Sequence, residues 1–101
     1  MKAEDLSART ILTLASMHVK RFETLIHNAK EGARGINQGD CEHYLVIWQA
    51  LQRRALKALI SQAGHVCMTE DERDELQDAI DSGDYDDVIS SAEHGSMVGT
   101  A

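Results

Sequence analysis

Proline is absent from the 101 residues, and aromatic residues make up only 4% of them: one Trp, two Tyr and one Phe. Without proline the strongest internal helix breaker is missing, so glycine and capping side chains are left to punctuate the chain. With so few rings, any core must be built mainly from aliphatic side chains. Two cysteines cannot form a disulfide scaffold, and the expectation is two free thiols in a reducing compartment. No apolar run approaches the ~18 residues of a membrane span. The stretch from Met1 to Ser7 has no basic-then-apolar leader pattern, so the reading is cytoplasmic, with no membrane partner.

What the chain does have is an ordinary globular balance, 43% hydrophobic and 27% charged. The length allows one domain, which buries roughly two thirds of its unfolded surface. We assign residues 1–95 to a single helical domain and 96–101 to a flexible tail. The net charge of −7 is unevenly placed. Residues 1–66 carry nine basic against six acidic side chains, whereas in residues 67–101 Arg73 stands alone against eleven acids. Such segregation points either to attraction between the two regions or to an acidic end presented to a partner.

Helical periodicity dominates the first two thirds. Ala8, Leu12, Ala15, Val19, Phe22, Ile26, Ala29 and Ala33 alternate in steps of four and three, predicting a first helix over about 6–33 that Ile11, His18 and Leu25 widen. Gly32, Gly35 and Gly39 interrupt it. Asp40 is the expected N-cap of a second helix to about Ala63, with Gly64 as its stop. Its apolar arc, which includes Tyr44, Leu45, Ile47, Trp48, Leu51, Leu56 and Ile60, spans more than half the circumference, too much for one partner helix. Thr69 and Glu72 form a capping-box pattern for a third helix over 70–82, with Leu76, Ala79 and Ile80 facing inward. Tyr85, Val88, Ile89 and Ala92 predict a short fourth helix before Gly95. The fold class is all-α: a long antiparallel two-helix hairpin with two short acidic C-terminal helices, together a small helical bundle.

Few residue patterns point to chemistry. Cys41 with His43, and His65 with Cys67, supply a zinc-type donor set, but only one residue separates each pair. The pairs also lie at opposite ends of a helix about 30 Å long, so no metal site is assigned. Thiol and imidazole two residues apart on a helix point about 200° from one another, and neither a nucleophile elbow nor a phosphate-binding loop is present. We therefore expect no catalytic residues, no enzyme activity and no cofactor. His18, within the apolar stripe, reads as a structural histidine that needs partners for its ring nitrogens.

The surfaces are more informative. Asp74, Asp78, Asp81, Asp84, Asp86 and Asp87 lie on predicted helices or the turn between them, and are assigned as an acidic partner-binding set. They would repel DNA, so no direct DNA binding is expected even though the last two helices have helix-turn-helix lengths. Arg53, Arg54 and Lys57 form a basic strip that either docks the acidic helices or contacts a partner or ligand. Tyr44, Trp48, Leu56 and Ile60 are assigned to an oligomer interface, a homodimer first. The resulting expectation is a non-enzymatic regulatory or inhibitory protein that binds a protein partner with a basic surface, such as a nucleic-acid-binding one. In charge and size alone it resembles small acidic helical inhibitors of nucleic-acid enzymes, among them phage anti-defence proteins. The alternative is a helical oligomer that senses or sequesters a nucleotide-like ligand, with its pocket near His18, Phe22, Tyr44 and Trp48 and the basic strip at a subunit boundary.

Overall fold

Ser7 fixes the start of the first long helix: its hydroxyl accepts from the Thr10 amide, and α1 runs Ala8–Lys30. The computed structural model describes the backbone of residues 2–98 and the side chains of residues 2–93. α1 ends three residues before the expected Ala33. Gly32 takes a left-handed φ of 96°, which lets the Ala33 N–H reach the Asn28 carbonyl at 2.9 Å and the Gly32 N–H reach that of Ala29 at 3.1 Å.

α2 spans Gln38–Ile60. Its cap is Asn37, whose Oδ1 accepts from the Asp40 amide at 3.1 Å; Asp40, expected in that role, lies in the first turn, where its charge suits the positive helix end. The helix also closes before Gly64. Gln62 adopts φ 57°, Ala63 N–H donates to the Ala58 carbonyl at 2.9 Å, and Gln62 N–H donates to that of Leu59 at 3.2 Å. This is the same closure as in α1, with glutamine at the left-handed position that glycine fills there.

α3, Glu70–Asp81, begins with the predicted capping box: Thr69 Oγ1 accepts from the Glu72 amide at 3.2 Å, and Glu72 Oε1 accepts from the Thr69 amide at 2.8 Å. Gly83, at φ 75°, turns the chain into α4, Asp86–Val98. α4 therefore passes through Gly95, and the backbone at 96–98, expected to belong to the tail, is helical; residues 99–101 of that expected tail lie outside the described residues. A 3₁₀ turn, Ala3–Asp5, precedes α1.

The architecture is all-α, an antiparallel α1–α2 hairpin with two short helices folded on it, 48 × 25 × 23 Å overall. Pairing of Ser16 with Gln52, His18 with Trp48 and Phe22 with Tyr44 sets the register of the hairpin. α3 packs on α2 and on the N-terminal turn, where the Ala3 amide donates to Gln77 Oε1 at 2.8 Å. α4 runs back antiparallel to α1, with Tyr85 beside Arg21 and Glu93 beside Ser7. The core contains Ile11, Leu14, Ala15, Trp48, Leu51, Ala55 and Leu76, with Ala79 and Ile80 facing inward as expected. Along α1 the buried stripe is centred nearer Thr10, Ile11, Leu14 and His18 than the predicted seam, because α4 covers that side; Leu12 and Phe22 are only half-buried, and Ala33 is exposed beyond the helix end.

Candidate functional site

The acidic surface is built on ordered helices. Asp74, Asp78 and Asp81 follow one line along α3, opposite Leu76, Ala79 and Ile80, with successive rises of about 6 and 4.5 Å. Asp84 stands in the turn, and Asp86 and Asp87 occupy the first turn of α4, where the helix dipole favours negative charge. All six are exposed. Among the described residues the side-chain ion pairs are Arg54 with Glu72 and Arg73 with Glu4, so none of these six aspartates is paired with a cation of the described residues. Asp81 does accept a hydrogen bond from Gln77 at 2.9 Å. The Glu75 carboxyl beside this line is pushed above the ordinary carboxylate range, first by burial and then by the like charges of Asp78 and Asp74, while His43 opposes the shift.

Two carboxylates of the C-terminal region have a different role. Glu72 is 4% exposed; besides closing the capping box it accepts from Arg54 Nε at 3.0 Å, tying α3 to α2. Glu93 Oε1 accepts from the Ser7 amide at 3.1 Å, from the Ser7 hydroxyl at 2.9 Å and from the Thr10 hydroxyl. It thereby covers the N-terminus of α1 from 86 residues away in sequence. No local pattern announces that contact; the polar pair Ser7 and Thr10 at the edge of an apolar stripe was the only hint.

The basic strip divides. Arg54 engages Glu72, as the docking reading required of it, whereas Arg53 and Lys57 are exposed and make no ion pair among the described residues. Arg54 and Lys57, with Ser61, His65 and Cys67, line a cavity of about 230 Å³ at the end of α2.

The four residues assigned to an oligomer interface are not on one surface. Trp48 is 1% exposed and lies in the core of the chain, stacked on His18 of α1, so that assignment is corrected: the part of the arc it belongs to is already covered within the chain. Tyr44 is half-buried against Phe22, with ring centroids 6.0 Å apart. Leu56 and Ile60 are exposed, at 48% and 76%, and Val46, not singled out before, is 62% exposed on the same outer side of α2.

The interhelical space near His18, Phe22, Tyr44 and Trp48, expected to hold a ligand in the alternative reading, is filled by the rings themselves. The His18 imidazole lies flat on the Trp48 indole, with centroids 3.9 Å apart and planes within 8°, and Tyr85 and Phe22 flank it at 4.8 and 6.2 Å. His18 is buried, and neither ring nitrogen has a hydrogen-bond partner among the described residues. Burial, and then the nearby Arg21 charge, lower its pKa from 6.5 to about 4, so the ring packs as a neutral aromatic. Phe22 and Tyr44 instead border a separate hollow of about 260 Å³ beside the hairpin loop. Cys41 is buried at the start of α2 and Cys67 is exposed beyond its end, and the described residues contain no group of three or more His, Cys, Asp or Glu suited to a metal ion. The chain matches no family model, no curated protein and no solved structure.

Proposed function

We propose that the protein is a non-enzymatic regulator or inhibitor that binds a protein partner through the α3–α4 acidic face and occupies a basic, nucleic-acid-binding surface of that partner. The observation carrying this reading is the set of six exposed aspartates, Asp74, Asp78, Asp81, Asp84, Asp86 and Asp87, held on two helices and one turn with no cation among the described residues paired to them. Solubility alone does not require charge to be held in one place. The anchors that hold it are Glu72 on Arg54, on the side of α3 away from Asp74, Asp78 and Asp81, and Glu93 on Ser7 and Thr10, two turns along α4 from Asp86. A row of fixed carboxylates presents a basic groove with repeated negative charge at helical spacing, as a phosphate backbone does. Binding of this kind is fast and salt-sensitive. A homodimer remains part of the proposal, with Val46, Leu56 and Ile60 of α2 as its apolar contact in place of Trp48.

The test is affinity capture with the wild-type chain and with the triple variant Asp74→Asn, Asp78→Asn, Asp81→Asn, followed by competition with duplex DNA. The expected partner is released by raising salt from roughly 50 to 500 mM, where the Debye length shrinks severalfold. It is also displaced by DNA and is not retained by the variant. A partner held equally well by the variant and at high salt removes the acidic face from the mechanism.

A further inference from the structure

One hollow with cations and no acid, beside Lys20 and Arg21, is otherwise lined by Met17, Thr24 and Leu25, whereas the cavity at the end of α2 combines cations with an imidazole, a hydroxyl and a thiol. In a chain of net charge −7, its lining brings together the Arg54 guanidinium, the Lys57 ammonium, the His65 imidazole, the Ser61 hydroxyl and the Cys67 thiol, and no acidic residue is among the lining groups. Cations at a helix C-terminus commonly serve the exposed carbonyls there. Here those carbonyls are met from the backbone: Lys57 O by the Ser61 amide, Leu59 O by the Gln62 amide, and Ala58 O by both the Ala63 amide and the Ser61 hydroxyl. Glu72 approaches Arg54 at Nε, and no second ion pair of Arg54 is present among the described residues, which leaves the rest of that planar fork for another acceptor. Lys57 is exposed with no ion pair among the described residues. Arg54 and Lys57 share this concavity as like charges, and Glu72 meets Arg54 at Nε only, so a further anion between the two cations is favoured.

We infer that this cavity binds the phosphate group of a small phosphorylated molecule, with Arg54 and Lys57 as its charged partners and His65 as a further donor. Size narrows the ligand class. About 230 Å³ falls below the ~300–1,000 Å³ typical of pockets that enclose a whole drug-sized molecule. It admits a phosphate or diphosphate group while the remainder of the ligand stays outside. Arg54 is partly committed to holding α3, so Lys57 is the residue whose loss reports on binding without disturbing the fold. The site is independent of the acidic face, and either can fail without the other.

The experiment is calorimetric titration of the full chain with inorganic pyrophosphate at low salt, paired with the rate at which iodoacetamide alkylates Cys67. Saturable binding is expected, with Cys67 alkylation slowed several-fold at saturation while buried Cys41 serves as internal reference. Lys57→Gln is expected to weaken binding about tenfold, the scale of one charge-assisted hydrogen bond. Lys30→Gln, at the far end of the hairpin, controls for net charge and is expected to leave the affinity unchanged. A nucleoside diphosphate that binds more tightly than pyrophosphate identifies a nucleotide as the source; equal affinity identifies the bare diphosphate group. Absence of saturable binding below about 10 mM, equal weakening by Lys57→Gln and Lys30→Gln, or Cys67 alkylation indifferent to pyrophosphate would each overturn the assignment.

Discussion

The α1–α2 hairpin and the α3–α4 region are held to the molecule by different physics. The hairpin closes on rings and aliphatic chains: His18 on Trp48, Phe22 on Tyr44, and Ile11, Leu14 and Leu51 beneath them. The acidic helices add Leu76, Ala79, Ile80 and Ile89 to that core, but their placement is set by two carboxylates, Glu72 and Glu93, each closing a helix N-terminus. Hydrophobic burial is large and indifferent to direction, whereas a capping carboxylate contributes less and fixes orientation. A helix rich in acid can therefore be docked with its charge facing outward, provided one of its acids faces a donor.

The hairpin side of this contrast is most sharply tested at Trp48. Trp48→Ala is expected to cost about 3–5 kcal/mol, measured by urea denaturation, since it removes the indole from between His18 and the aliphatic core. That is a large share of the ~5–15 kcal/mol that stabilises a typical domain. A loss under about 1 kcal/mol would mean that the ring stack does not hold the hairpin, and would reopen Trp48 as an interface residue.

Acid should weaken the hairpin through His18. In the folded chain this imidazole is held down to about 4, against 6.5 for the ordinary side chain. Between those values the unfolded chain binds more protons, so stability falls as pH drops through that window and is insensitive to His18 above it. The full loss is up to about 3 kcal/mol. The orphaned ring nitrogens supply the cause, since a charged imidazole among Trp48, Phe22 and Tyr85, with Arg21 close by, has no acceptor. His18→Phe keeps a flat ring on Trp48 and is expected to flatten the pH dependence of thermal unfolding between those limits. An unaltered profile would assign the acid sensitivity to the carboxylates.

The hairpin, the capping box at Thr69 and the inward set Leu76, Ala79 and Ile80 are all legible in the residues, because each rests on local spacing or on a side chain that bonds its own helix end. What the pattern misplaced depends on contacts distant in sequence. Trp48 and Ile60 belong to one broad apolar arc, and only the docking of the other helices decides that Trp48 is buried and Ile60 is not. Gly64 is the expected stop of α2 because glycine favours the left-handed conformation, yet Gln62 adopts it. The cationic cavity joins Arg54 and Lys57 on α2 to His65 and Cys67 beyond its end, a grouping that appears only once the chain turns back there. The six aspartates and the capping role of Glu72 are visible in the residues, but the reach of Glu72 to Arg54 and of Glu93 to Ser7 and Thr10 is not.

The difference between anchoring and outward acids yields the smallest of the expected effects and the most discriminating. Glu72 and Asp78 carry the same charge on the same helix, one buried against Arg54 and the Thr69 amide and the other exposed. Glu72→Ala removes a charge-assisted bond to Arg54 and half of the capping box, so about 1–2 kcal/mol of stability should be lost. The value stays below that of a fully buried ion pair because the Arg54 side chain is 45% exposed. Asp78→Asn should leave stability within about 0.5 kcal/mol while weakening capture of a basic partner. It removes one like charge beside Glu75, so any small change should be stabilising. If both substitutions shift the urea midpoint equally, the acidic helices are held by diffuse electrostatics and the distinction between anchor and face is lost. If only Glu72→Ala shifts it, the outward aspartates are dispensable to the fold, and their alignment calls for a partner rather than for stability.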